Sequence, residues 1–513
     1  MKIKGFVKGA LILIIFNLIG KVIGAIYRIP LANLLGPVGI GEYQLVFPLY
    51  SLLLAISVSG IPVAISRIVA EYNSKGQFGD SKKLLRLAIL YLFVLSIVSA
   101  GIIVICSKFI SKLQGNPEIY LCYYGIAPAI LFVGLLSVFR GYFQGNLNML
   151  PTALSNLFEQ VGKLVFGLLF ATRLLKFGTV YGVFGALLGI SVSELFALIF
   201  LMVYYLIYAR KHKFKTQAVL TKRSISKQLL MTSLPITLGG ILAPITAIID
   251  SLLVVNLLMH SGFEPEKATS LLGLQSGIVE PILNIPIVIA VSISASLLPN
   301  LTKVFVEKQE DEVKSLIEKA FQITLSVALV CSICFIIFGK QILSLLYHKT
   351  LSDFELSVSI KLLFLGGFNL ILLSLVQVSA GILQGLNKQN FTVKTIILGS
   401  VIKIVLTSVL VSLKQVNIFG ATISGGISYL VVFALNYRKI KQETTARISN
   451  VMFNVMVQEC LVCLFAFFSN WLFQMSFGGN VALFAGGVVS VIIFVVTYYV
   501  LFLIDRPKTI SSW

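Results

Sequence analysis

The chain has 513 residues, of which 57% are hydrophobic and 12% charged, with a mean hydropathy of +0.97 and a net charge of +21. A water-soluble domain carries roughly 25% charged residues, so this composition excludes a soluble enzyme and calls for a bilayer around most of the surface. The positive charge would point to nucleic acid in a soluble protein. Here it collects in alternate loops, the signature of membrane orientation, and no nucleic-acid partner is expected.

Lys2, Lys4 and Lys8 precede the first apolar run. No small-residue cleavage site follows it, so the run is expected to remain as a helix. Runs of spanning length then fall at roughly 9–34, 44–70, 87–107, 119–139, 152–172, 182–208, 228–258, 271–299, 320–339, 361–383, 395–413, 418–435, 449–474 and 481–504. The expected fold is an all-α integral membrane protein of about fourteen transmembrane helices. Residues 1–210 would form an N-terminal six-helix bundle, 211–227 a basic cytoplasmic linker, 228–440 a second six-helix bundle and 441–513 two additional helices.

Orientation follows from Lys and Arg. With the N-terminus inside, cytoplasmic segments hold 27 of the 41 basic residues, the richest being the loop with Arg210, Lys211, Lys213, Lys215, Lys222, Arg223 and Lys227. External loops hold 8, among them Lys108, Lys267 and Lys414. An even number of spans returns the C-terminus to the cytoplasm with Arg506 and Lys508. The loops are too short to fold into a catalytic domain, and His212, His260 and His348 have no acid–base constellation around them, so no enzyme activity is expected. Two C-x-x-C doublets, Cys331/Cys334 and Cys460/Cys463, lie inside apolar runs, where thiols act as small hydrophobes; they are read as packing rather than metal ligands.

An internal repeat emerges on shifting the chain by 240 positions, which aligns GYFQGNLNMLPTALSNLFEQVGKLV with GILQGLNKQNFTVKTIILGSVIKIV. Gly141/Gly381, Gln144/Gln384, Gly145/Gly385, Thr152/Thr392 and Lys163/Lys403 are identical. Hydrophobicity makes apolar matches cheap, but not matched Gly, Gln and Lys. Six spans separate the copies, so both halves face the same way, a parallel repeat with a substrate site expected between them.

Six basic residues fall in or near spans: Lys21, Arg28, Arg67, Lys163, Lys361 and Lys403. A charge at a helix centre costs about 2.5–3.5 kcal/mol on insertion scales, so such residues face a polar interior. Lys361 and Arg67 lie near span edges and can snorkel. Lys21 and Arg28 are two helical turns apart and share a face flanked by Gly20 and Gly24, which allows close helix approach. Glu159 precedes Lys163 by four residues, the favourable ion-pair spacing, and the pair is either a neutralised core lysine or part of a binding site. Asp250, in PITAIIDSLLVV, has no basic residue within a turn; it is a candidate for cation or proton coupling, with a locally hydrogen-bonded role as the alternative. Glu194 and Glu280 are weaker candidates of the same kind. The excess of positive charge suits an anionic ligand, a phosphate, a pyrophosphate or a carboxylate.

The segments GKVIGAIYRIPLANLLGPVGIGEYQ (from Gly20), SGIPVAISRIVAE (Ser59 to Glu71) and RGYFQGNLNMLPTALSNLFEQVGKLV (from Arg140) resemble the MurJ/SpoVB-type members of the multidrug/oligosaccharidyl-lipid/polysaccharide exporter superfamily. The resemblance implies a flippase that carries an undecaprenyl-pyrophosphate-linked glycan precursor, lipid II or a similar lipid, from the inner to the outer leaflet of a bacterial cell membrane. It maps the family's first-helix basic pair onto Lys21 and Arg28, an acid after the first loop onto Glu42 and a seventh-helix acid near the cation site onto Asp250. Substrate-binding candidates are then Lys21, Arg28, Lys163, Lys403, Glu159 and Glu42. No cofactor is expected beyond a coupling sodium ion or proton. The partners implied are the pyrophosphate lipid, membrane lipids and cell-wall synthesis machinery. The family's S-Q-V-x-E-Q-x-x-R pattern reads Ser155-Asn156-Leu157-Phe158-Glu159-Gln160-Val161-Gly162-Lys163, with Asn for Gln and Lys for Arg, and basic residues found in the second and eighth helices of some family members have no convincing match here. The rival readings are a cation-coupled drug exporter of the same superfamily and a non-transporting sporulation or division scaffold.

Overall fold

The computed structural model describes residues 2–58, 60–211, 219–347, 350–446 and 448–457, and among them there is no strand. Helix α1 (Lys2–Val58) is followed by α2 (Ile61–Ser74), α3 (Phe78–Leu113), α4 (Tyr120–Gly145), α5 (Leu150–Gly162), α6 (Leu168–Leu174), α7 (Thr179–Lys211) and α8 (Lys222–His260). Then come α9 (Pro265–Leu272), α10 (Glu280–Val306), α11 (Glu310–Tyr347), α12 (Asp353–Gly385), α13 (Gln389–Ser412) and α14 (Phe419–Glu443). Single π-helical stretches, Lys163–Gly167 and Gly273–Val279, join α5 to α6 and α9 to α10.

Ten helical stretches among the described residues are long and apolar enough to cross a bilayer. The first, Val22–Ser74, takes in the second half of the first expected span and all of the second. The gap expected between 34 and 44 is not a loop: the chain turns at Gly36 alone (φ 69°, ψ 176°), and Pro37 starts the next helical segment. That segment breaks again at Gly60, which lies against Ser233 O and Thr237 Oγ1 of α8 with no room for a Cβ. The expected seventh span falls on α8, while the expected thirteenth span beyond residue 457 and all of the fourteenth, with Cys460, Cys463, Arg506 and Lys508, lie outside the described residues. Cys331 and Cys334 are free thiols within α11.

Helix α3 shows how a chain this apolar packs. Its fully buried positions include Ser96, Ser107 and Ser111, while Ile105 (82% exposed) and Phe109 (66%) point outward. Lipid solvates large side chains as well as the protein does, so alongside Leu84, Leu92 and Ile103 the buried positions of α3 hold small residues that let backbones approach. Ser96 meets Gly134 of α4 in this way. The chain is a multi-pass membrane protein.

Contacts divide the chain into two compact units, Met1–Ile278 with Thr407–Ile418, and Val279–Leu406 with Phe419–Trp513. The first has a core of Ile65, Leu84, Leu92, Phe139, Phe143 and Leu198; the second has one of Leu301, Ile317, Phe321, Leu375, Leu383 and Phe433. In the first unit α4 packs on α2, α3 and α7, and in the second α12 packs on α10, α11 and α14. The glycines matched by the sequence repeat do matching work. Gly141 and Gly145 lie against Pro62 and Val69 of α2, whereas Gly381 and Gly385 lie against Ser294 and Leu301 of α10. Both α2 residues stand 232 positions before their α10 counterparts.

Helix α8 packs on α1, α2 and α3. Near its N-terminus, buried Asp80 of α3 accepts from Leu220 N at 2.9 Å and Val219 N at 3.3 Å, and Lys83 Nζ donates to Leu220 O at 2.5 Å. The end of the basic segment expected over 211–227 is thus helical from Lys222 and tied to α3, while 212–218 lie outside the described residues.

Candidate functional site

Helix α5 starts where Pro151 fits the first helical turn. From there Ser155, Glu159 and Lys163 recur every four residues and line one face. That face meets Arg140 of α4 and Glu194 of α7. Arg140 Nε donates to Ser155 Oγ at 2.9 Å, and Arg140 Nη2 meets Glu159 Oε2 at 3.0 Å. Lys163 Nζ lies 2.5 Å from Glu159 Oε1 and 3.1 Å from Glu194 Oε1. Gln160 Nε2 donates to Glu159 Oε1 at 3.1 Å. Two cations and two carboxylates therefore form one closed cluster, neutral when all four are ionised.

Small residues allow this convergence. Gly162 lies against Ser193 with no space for a Cβ, and Gly189 of α7 meets the backbone of Gly167. The π-helical stretch begins at Lys163, so the helix shifts register at the residue that bridges the two acids. Such single-turn π segments mark places where a helix departs from its most stable form for a local purpose. Within the cluster the two acids differ. Glu159 receives three donors, whereas Glu194 is 1% exposed and its Oε2 finds no hydrogen-bond partner among the described residues.

Helix α1 passes beside the cluster. Gly20 and Gly24 face the side chain of Gln160, the close approach that their spacing with Lys21 and Arg28 suggested. Arg28 is partly buried and has no acid within ion-pair distance among the described residues; the side chain of Lys21 lies outside the described residues. Tyr43 and Tyr50 are buried further along the same helix. The hydroxyl of Tyr27, the residue before Arg28 in the chain, sits against Gly167 in the π-helical stretch.

Glu42 belongs to a second polar network. It is 4% exposed; Asn116 Nδ2 reaches its Oε1 at 3.4 Å, and its Oε2 is unpartnered among the described residues. Beside it, buried Gln114 donates to Leu45 O at 2.7 Å and to Ser251 Oγ at 3.3 Å, and accepts from Tyr123 Oη at 2.7 Å. Ser251 is the neighbour of Asp250 on α8, so the turn of α8 carrying Asp250 is in contact with this network. Asp250 itself is partly buried and engaged by a neighbour. Lys403, on α13 of the second unit, is likewise partly buried and engaged. Its helix is held to α14 by Thr395 Oγ1 donating to Asn436 Oδ1 at 2.9 Å and by Ser428 Oγ donating to Gly399 O at 2.7 Å.

The structure thus joins Glu159 to Lys163 and adds Arg140 and Glu194. Arg140 was not among the sequence candidates because it ends an apolar helix beside a loop, where a basic residue reads as an orientation signal. The polar residues Gln114 and Asn116 were also missed, since Q-G-N reads as a turn.

The comparisons with known proteins agree with this architecture. The model of the polysaccharide biosynthesis protein family matches residues 6–305. The chain belongs to that family. A second model, MatE, matches residues 273–409. The chain is 26% identical to the stage V sporulation protein B of Bacillus subtilis over 425 residues, 82% of this chain and 80% of the relative. It is also 26% identical to the lipid II flippase MurJ of the same organism over 462 residues, 85% of this chain and 82% of the relative. Among solved structures, a lipid II flippase MurJ in an inward closed conformation superposes with a TM-score of 0.72 at 13% identity, covering 96% of this chain and all of that one. An inward-facing multidrug resistance MATE family transporter of the MOP superfamily gives 0.67 at 16% identity, covering 82% of this chain and 95% of that one. The MurJ- and MATE-like all-α transporter fold is therefore that of this chain.

Proposed function

We propose that this protein moves a polyprenyl-pyrophosphate-linked glycan precursor from the inner to the outer leaflet of a bacterial cell membrane by alternating access, with both termini in the cytoplasm. The observation that carries the proposal is the match to a lipid II flippase along 85% of the chain, within the polysaccharide biosynthesis family. The geometry adds to it. A pyrophosphate crossing hydrocarbon needs donors to replace water. In the first unit, Lys163 and Arg140 are balanced by Glu159 and Glu194, whereas Arg28 is balanced by no described acid. Arg28, with Lys21 two turns before it, is the basic element left to meet phosphate oxygens, and a guanidinium does so in a bidentate fork.

Reconstitution tests the reading. Proteoliposomes containing the protein should expose an undecaprenyl-pyrophosphate-linked sugar, initially in one leaflet, to an enzyme acting only on the other. Depletion in cells should cause pyrophosphate-linked precursors to accumulate, and their head groups would identify the glycan. Transport of cationic drugs with no movement of the lipid would replace this reading by the drug-exporter one that the MatE match allows. For orientation, an impermeant thiol reagent applied outside should modify a cysteine placed at Lys267 and miss one at Lys215.

A further inference from the structure

We propose that Glu194 is a proton-binding site, and that its occupancy sets the charge of the buried Arg140–Glu159–Lys163–Glu194 cluster and hence the affinity of the first unit for an anionic head group. The second half of this statement rests on the flippase reading; the first does not.

The asymmetry between the two acids is the starting point. Glu159 is held by Lys163, Arg140 and Gln160, so both its oxygens are already compensated as an ionised carboxylate. Glu194 shares only Lys163, through Oε1 at 3.1 Å, and its other oxygen is buried with no donor directed at it among the described residues. A buried carboxylate oxygen without a donor is costly, and protonation lowers that cost by removing the charge. Of the two acids, Glu194 is therefore where a proton binds, with the new O–H bond formed at the unpartnered Oε2.

The groups facing Glu194 fix the electrical consequence. From α5 and its π-helical continuation come Glu159 and Lys163, from α4 comes Arg140, and from α1 comes the Tyr50 hydroxyl. With Glu194 ionised, Arg140 and Lys163 cancel Glu159 and Glu194. With Glu194 protonated, the cluster carries one net positive charge, and Lys163 keeps only Glu159 as a charged partner. The change occurs beside Gln160, which donates to Glu159 and lies against Gly20 and Gly24 of α1, so the added charge acts next to the helix that carries Arg28. By linkage, a proton that strengthens anion binding is itself bound more tightly once the anion is present.

The test uses the full-length protein in nanodiscs, with undecaprenyl pyrophosphate as the probe lipid. Wild-type affinity should rise as pH falls, by up to about tenfold per pH unit, the limit for one linked proton. Glu194→Gln, which fixes the neutral form, should bind at alkaline pH as the wild type binds at acid pH, with no slope. The wild-type slope retained in Glu194→Gln would overturn the proposal and leave the flippase reading intact. Infrared difference spectra between acid and alkaline pH give a readout independent of substrate. A protonated-carboxyl band should be lost in Glu194→Gln and moved, not lost, in Glu194→Asp. If the wild type binds no pyrophosphate lipid at any pH, the flippase reading fails while the infrared band still decides protonation: its presence unchanged in the glutamine variant sinks the proposal. Should the glutamine variant not assemble, an unmoved band in Glu194→Asp has the same force.

Discussion

Leu147 and Asn387 stand 240 positions apart and share a left-handed backbone, each at φ 59°. The bonds around them also match. Leu147 N donates to Gln144 O at 2.9 Å and Asn148 N to Phe143 O at 2.9 Å; Asn387 N donates to Gln384 O at 3.0 Å and Lys388 N to Leu383 O at 2.7 Å. Both α4 and α12 therefore end in the same way, at a matched Gln-Gly pair with the left-handed residue two positions after it, and the sequence repeat is also a repeat of backbone geometry.

A left-handed conformation costs a side chain with a Cβ about 1–2 kcal/mol, and Asn tolerates it better than Leu. Leu147→Gly should therefore raise thermal stability in detergent, and Asn387→Gly should do so by less. A stability loss in Leu147→Gly would mean that the Leu147 side chain contributes more than its backbone costs.

The buried cluster predicts a different size of effect. Removing one member of a buried ion network leaves an uncompensated charge, at about 3–5 kcal/mol. Glu159→Ala should lower stability severely, since it strands Arg140 and leaves Lys163 with Glu194 alone. The exposed pair Lys75–Glu71, also at i,i+4 spacing, should cost at most about 1 kcal/mol when Lys75 is replaced by Ala. Comparable melting temperatures for the two variants would show the cluster to be solvated.

Much of this was legible in the chain. Periodic apolar runs located the helices, and the Glu159–Lys163 spacing announced an ion pair. Two things were hidden for physical reasons. The turn between the first two spans needs only Gly36, because glycine adopts φ 69° without steric cost, so a loop-length gap in hydrophobicity overstated the loop. The cluster also draws on Arg140 and Glu194, which lie 19 and 35 positions from Glu159. Their approach depends on Gly162 meeting Ser193 and Gly189 meeting Gly167, contacts that no local pattern encodes.

Asp250 offers a test of ion coupling. Its helix α8 touches the Glu42 network through Ser251 and Gln114. If Asp250 carries a coupling sodium ion or proton, Asp250→Asn should leave assembly unchanged and remove the dependence of lipid movement on sodium or pH gradients. Unchanged coupling in that variant would return Asp250 to a structural role.

Arg28 is the residue on which the transport reading depends most. It stands one helical turn after Gly24, where α1 meets Gln160. Because Lys163 and Arg140 are held by acids, losing either disturbs packing, whereas losing Arg28 strands no described carboxylate. Arg28→Ala should therefore assemble with near wild-type stability yet stop movement of a pyrophosphate-linked lipid. Arg28→Lys should restore it only in part, since an ammonium supplies a point charge and no bidentate fork. Lys21, whose role is that of a charge alone, should tolerate Arg. Binding of undecaprenyl pyrophosphate should fall in the Ala variant while binding of undecaprenol stays the same. Normal transport by both Arg28→Ala and Lys21→Ala would remove the basic face of α1 from the mechanism.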